Sequence, residues 1–145
     1  MSTPFYLLAE ARGLHRLARA TDVIGPYQGN VAAANRSWAA AHADEVVGFI
    51  RAYAAAIEWL YDPHNREEAV RVLITSLPHV TAEVAQRSYE QLLDPARGFF
   101  RQAKLVANGF KTVLELRSRY GEPRRSLAEP AKYHDPAYYE AAMGN

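Results

Sequence analysis

The stretch DEVVGFIRAYAAAIEWLY, from Asp44 to Tyr61, decides how the rest of the chain is read. Its apolar residues Val46, Ile50, Tyr53, Ile57 and Leu60 recur at spacings of three and four, which places them on one face of an α-helix. At about 1.5 Å per residue the helix is ~27 Å long. An apolar stripe of that length requires a covering layer. The flanking sequence offers more helices to supply it and scarcely a strand.

Toward the C-terminus, Asp62-Pro63 ends the long helix. Asn65, with Glu68 three residues later, predicts a capping box and a helix whose buried stripe is Val70, Leu73, Ile74 and Leu77. Pro78 stops it. Thr81 caps the next helix, with Glu83 near its positive end and Val84, Tyr89, Leu92 and Leu93 on its apolar side. Asp94-Pro95 breaks that one. A further helix is expected from about Gln102 to Tyr120, its inner edge marked by Val106, Phe110, Val113, Leu114 and Arg117, with Gly121 as a left-handed C-cap. Asp135-Pro136 opens a short last helix.

Toward the N-terminus, Pro4 to Ala11 reads as a short helix closed by Gly13. Asp22 to Asn30 contains Gly25, Pro26 and Gly29 and reads as loop. Val31 to Asn35 is the best strand candidate. The expected fold is mainly α, with about five helices and one or two short strands.

Composition narrows the function. The 145 residues suit one domain, and 49% hydrophobic with 23% charged content is that of a soluble globular protein. A net charge of +1 gives no basic field for nucleic acid, and the arginines alternate with acids along solvated helix faces. Cysteine is absent, which excludes disulfides and thiolate chemistry. No apolar run has the length of a membrane span. The start MSTPFYLLAEARG lacks the features of a signal peptide, so the chain as written is expected in the cytoplasm.

No catalytic constellation is visible. The five histidines show no metal-ligand spacing, and no glycine-rich phosphate loop occurs. Glu67 and Glu68 point about 100° apart on a helix and do not form an acid/base pair. Neither a metal nor a cofactor is indicated. Tyr27 stands out because it lies in a Gly/Pro-framed loop beside Gln28 and Asn30, where an aromatic face and amides could meet a small ligand. Phe5, following Pro4, is a second candidate for a pocket rim.

The ordered series PFYLLAEARG, DVIGPYQGNV, NRSWAAAHADEVVGFIRAYAAAIEWLYDPHNREEAVRVL, QLLDPARGF, NGFKTVLELRSRYGEP and KYHDPAYYEAA resembles the C-terminal half of bacterial ABC-transporter substrate-binding proteins. The group is the one that handles nitrate, alkanesulfonates, taurine and thiamine-pyrimidine precursors. The resemblance runs from about Pro4 to Ala142 and implies part of a type II periplasmic-binding-protein fold, in which two α/β lobes close on a ligand. On that pattern residues 1–30 would form the end of the second lobe and a cleft loop. Residues 31–38 would be a hinge strand, and 39–145 a helical portion packing on the first lobe.

Phe5 and Tyr27 would then border the cleft, with Gln28 and Asn30 as polar helpers. The resemblance implies a small anionic or heteroaromatic solute, bound only together with the N-terminal half, which this sequence does not contain. It also implies a membrane permease with its ATPase as partners, and an extracytoplasmic location. The same superfamily includes fungal thiamine-pyrimidine synthases that use a pyridoxal cofactor. Lys104, Lys111 and Lys132 lie in exposed helix or tail contexts and offer no Schiff-base lysine, so no enzymatic activity is expected. Helix faces without a sheet predict self-association of the chain. A free-standing helical scaffold or interaction module is the alternative.

Overall fold

A computed structural model describes residues 2–144. Among them lie eight α-helices and no strand. The helices are α1 (Phe5–Ala11), α2 (Ala20–Ile24), α3 (Arg36–Ala41), α4 (Ala43–Tyr61), α5 (Arg66–Ser76), α6 (Ala82–Leu92), α7 (Ala107–Tyr120) and α8 (Ala137–Met143). Three short 3₁₀ turns stand at Pro63–Asn65, Arg101–Ala103 and Pro130–Lys132. The chain divides into two compact units. The first combines Met1–Leu17 with Tyr53–Ala103, and the second Ala18–Ala52 with Lys104–Asn145.

The first unit packs α1, α5 and α6 around Leu7, Val70, Val80, Val84 and Ala85. Tyr6, Leu8, Leu73, Ile74, Leu77 and Tyr89 close over this cluster. The stripes expected on α5 and α6 are therefore the faces that meet. Thr81 caps α6 as expected, its Oγ1 accepting from the Val84 N–H at 3.3 Å. Ser88 is fully buried and donates to the Val84 carbonyl at 2.6 Å, a partner within its own helix that removes the cost of a lone buried hydroxyl. The Tyr89 hydroxyl donates to the Leu60 carbonyl at 2.7 Å, and the Tyr61 hydroxyl to that of Phe99 at 2.7 Å. Burial is the main cause that raises the Tyr61 phenol above its usual range.

In the second unit the buried apolar residues among those described are Ala39, Leu114 and Ala142. Polar ties do much of the joining. Arg51 donates to the carbonyls of Ala142 and Ala141 at 3.0 and 3.1 Å, a cation answering the orphan carbonyls that end α8. Arg36 donates to the Lys132 carbonyl at 3.1 Å. Asn35 caps α3, accepting from the Ser37 and Trp38 N–H groups.

All three Asp-Pro pairs fold alike. The carboxylate accepts from the N–H two residues on, Asp62 from His64 at 2.9 Å, Asp94 from Ala96 at 2.9 Å and Asp135 from Ala137 at 3.1 Å. Proline fixes the intervening φ, and the side chain mimics a turn carbonyl. The His64 backbone N–H, and then its ring, hold the Asp62 carboxyl below the usual carboxylate range. A depressed folded value adds stability above the ordinary carboxylate pKa, which fades as pH falls through the folded value. Asp62→Asn, which keeps the acceptor oxygen, is expected to flatten this part of the acid limb in urea midpoints measured against pH. An acid limb identical to that of the parent chain would contradict the assignment.

Several expectations are corrected. Val31–Asn35 forms no strand and runs as coil into α3, since a lone alanine-rich segment finds no neighbouring strand to take its hydrogen bonds. The helices number eight rather than about five because short ones form in segments not read as helix; Ala20–Ile24 is one, overlapping the start of the expected 22–30 loop. The Asn65–Glu68 capping box is not formed. Asn65 instead donates to the Trp59 carbonyl at 2.9 Å, and Glu68 pairs with Arg71. Helix α7 begins at Ala107 rather than near Gln102, because Gln102 and Ala103 have φ of 59° and 58°.

Gly121 is extended, with φ −81° and ψ 147°, and is not left-handed. Its lack of a side chain matters for space, since a Cβ there would lie 2.5 Å from the Arg117 carbonyl oxygen. Tyr53 is exposed, and Ala54 and Ile57 are the buried residues of α4.

Candidate functional site

Phe5 opens α1 in the first unit with its ring 55% exposed, behind a buried Pro4. Tyr27, Gln28 and Asn30 belong to the second unit. Gln28 fastens their segment to the start of α7. Its backbone N–H donates to the Gly109 carbonyl at 3.2 Å, and its Oε1 accepts from the Val106 N–H at 3.3 Å. Its Nε2 donates to the Asn30 carbonyl at 3.1 Å. Both ends of this amide are thus engaged within the chain. What the segment offers a ligand is the half-exposed Tyr27 ring and the Asn30 carboxamide.

The contact depends on Gly109, buried in the first turn of α7. A Cβ there would stand 3.0 Å from the Gln28 nitrogen and 3.3 Å from the Tyr27 carbonyl carbon. The hydrogen bond from Gln28 to Gly109 holds both backbones at that distance, so neither retreats without loss. Glycine in a helix ordinarily costs about 1 kcal/mol, and here it is retained for close approach.

A second feature of this unit is an open concavity of about 570 Å³ at the end of α7, lined by Glu115, Ser118, Arg119, Arg124, Arg125 and Ser126 among others. Two ties shape it. The Ser118 hydroxyl donates to the Leu114 carbonyl at 2.7 Å and accepts from the Leu127 N–H at 2.9 Å. Arg117 donates to the carbonyls of Glu122 and Pro123 at 3.2 and 3.4 Å. The loop after α7 is thereby folded back, and Arg124 and Arg125 come beside Arg119. Sequence spacing gave no hint of this.

Two histidines make ring contacts in this unit. His42 stacks on Trp38 with ring centroids 4.5 Å apart and planes 9° from parallel, and its Nδ1 lies 2.9 Å from the Trp38 carbonyl. His134 meets the Phe110 ring edge-on at 6.2 Å. Among the described residues no three His, Cys, Asp or Glu side chains gather as a metal site, and no helix is long and apolar enough to cross a membrane. No protein family, curated protein or solved structure matches the chain.

Proposed function

We propose that the chain is the helical portion of a solute-binding component of an ABC importer, of the type handling nitrate, alkanesulfonates, taurine or thiamine-pyrimidine precursors. In this role it catalyses no reaction and works with a membrane permease and its ATPase in an extracytoplasmic location. The observation that supports this reading is the placement of large apolar side chains. On the helices, Phe5, Trp59 and Val72 are exposed in the first unit, and Trp38, Phe49 and Tyr120 in the second, while Leu14, Leu17, Val31 and Phe100 are exposed in the segments between helices. The buried set is mostly alanine and valine. Helices that coat an α/β lobe carry their large side chains toward a sheet in this way.

A buried aromatic side chain removes about 150–250 Å² from water, at roughly 25 cal/mol per Å². Several such residues left exposed amount to many kcal/mol of unrealised burial. In the chain by itself a second copy meets this demand, and the apolar faces drive self-association.

Titration calorimetry with nitrate, taurine, an alkanesulfonate and an aminopyrimidine tests solute binding. On the chain expressed together with the N-terminal half of such a binding protein, saturable binding of at least one, weakened about tenfold or more by Tyr27→Ala, is the expected result. Heats of dilution alone for all four would contradict it. A free-standing helical interaction module is the second reading. It is favoured by the Gln28 amide, whose groups are engaged inside the chain rather than turned to a solute.

A further inference from the structure

We propose that the concavity at the end of α7 binds a small oxyanion, a phosphoryl or sulfonyl group, through Arg119, Arg124 and Arg125. Charge is the first argument. Residues 111–128 contain five cations (Lys111, Arg117, Arg119, Arg124, Arg125) and two acids (Glu115, Glu122), a net of +3 in a chain whose total is +1. Glu115 also lines the concavity and pairs with Lys111 at 3.8 Å, which leaves three guanidinium groups against one carboxylate there. Arg117 is occupied by the two loop carbonyls. The carbonyl end of α7 carries about half a negative charge, which Arg117 and Arg119 in its last turn more than meet. Arg124 and Arg125 have no hydrogen bond or ion pair among the described residues. Two adjacent cations are left without a counter-charge.

Geometry is the second argument. Guanidinium groups present paired N–H donors that match the oxygens of phosphate or sulfonate, and such charge-assisted bonds are about twice as strong as neutral ones. The Ser118 tie fixes the loop before any ligand arrives, so the arginines are gathered at little further entropic cost. Ser126, which has no hydrogen-bond partner among the described residues, adds a hydroxyl donor at the rim. Three arginines fall short of the roughly 6–10 phosphate contacts that tight duplex binding uses, which favours a small oxyanion. None of Phe5, Tyr27, Gln28 or Asn30 takes part, so the site stands independently of the importer reading.

The test is titration calorimetry of the full chain with inorganic phosphate and with sulfate, against chloride at matched ionic strength, because screening alone weakens exposed charges. Saturable one-to-one binding of either oxyanion is expected. It should weaken about tenfold or more in the Arg124→Gln/Arg125→Gln double variant, with the circular dichroism spectrum and urea midpoint unchanged. Ser118→Ala retains all three arginines but releases the loop, and a loss of roughly threefold to tenfold is expected. Arg12→Gln, in the first unit, should bind as the parent does. The proposal is overturned by absence of saturable binding, by equal binding in the double variant, or by binding of a duplex oligonucleotide with none of free phosphate or sulfate.

Discussion

Gly98→Ala is expected to lose about 3 kcal/mol of stability, at the upper end of what overpacking costs. The residue lies in the turn that ends α6. The Gly98 N–H donates to the Asp94 carbonyl at 2.7 Å, and the next N–H, of Phe99, reaches back to the Leu92 carbonyl at 2.7 Å. That return brings the Gly98 Cα against the helix terminus. A Cβ would stand 2.3 Å from the Leu92 oxygen and 2.7 Å from the Asp94 nitrogen, both backbone atoms that no side-chain rotation can clear. The strain would pass to the Phe99 carbonyl, which holds the Tyr61 hydroxyl. Gly48→Ala provides the matched control. It lies in the interior of α4 with nothing within 4 Å of its virtual Cβ, and it should gain roughly 0.5–1 kcal/mol. Urea unfolding of the pair measures both signs. Equal effects from the two substitutions would contradict the described turn.

Leu7→Ala carries the second large effect. Leu7 is 2% exposed and is the largest apolar side chain of the buried cluster, facing Val70, Val80, Val84 and Ala85. Truncation removes its transfer energy and leaves a cavity whose neighbours are short and β-branched or alanine, so they relax little to fill it. A loss of about 3 kcal/mol follows, and with it a drop in the thermal midpoint of roughly 10 °C. Leu17, 99% exposed, should tolerate the same change within about 0.5 kcal/mol. A Leu7→Ala protein as stable as the parent would remove α1 from the core of the first unit.

Much of this architecture could be read from the residues, where one local rule acted without competition. Asp-Pro, a carboxylate acceptor followed by a fixed φ, stopped or started helices at Asp62, Asp94 and Asp135 as expected. The stripes of α5 and α6 were legible because their spacing alone defines a face. Failures came where two groups competed for one partner. Asn65 was a sound cap in isolation, yet the 3₁₀ turn that it closes placed its amide on the Trp59 carbonyl. Gly121 suited a left-handed cap, but crowding by the Arg117 carbonyl, not φ, is what excludes a side chain there.

The candidate sites divide in the same way. Tyr27, Gln28 and Asn30 were conspicuous as a turn, but the engagement of Gln28 with Gly109 and Val106 spans about eighty positions and leaves no mark on local sequence. The arginine concavity was obscured because turn residues separate Arg119 from Arg124 and Arg125 along the chain. They meet through a serine hydroxyl that has no sequence signature.

The central claim is that these helices are a coat whose apolar faces require a cover. Multi-angle light scattering of the purified chain, with fluorescence of an apolar-surface dye read on the same fractions, tests it most directly. The expected result is a self-associated species at micromolar concentration, or a monomer that binds the dye strongly. A monomer that leaves the dye dark would contradict the claim.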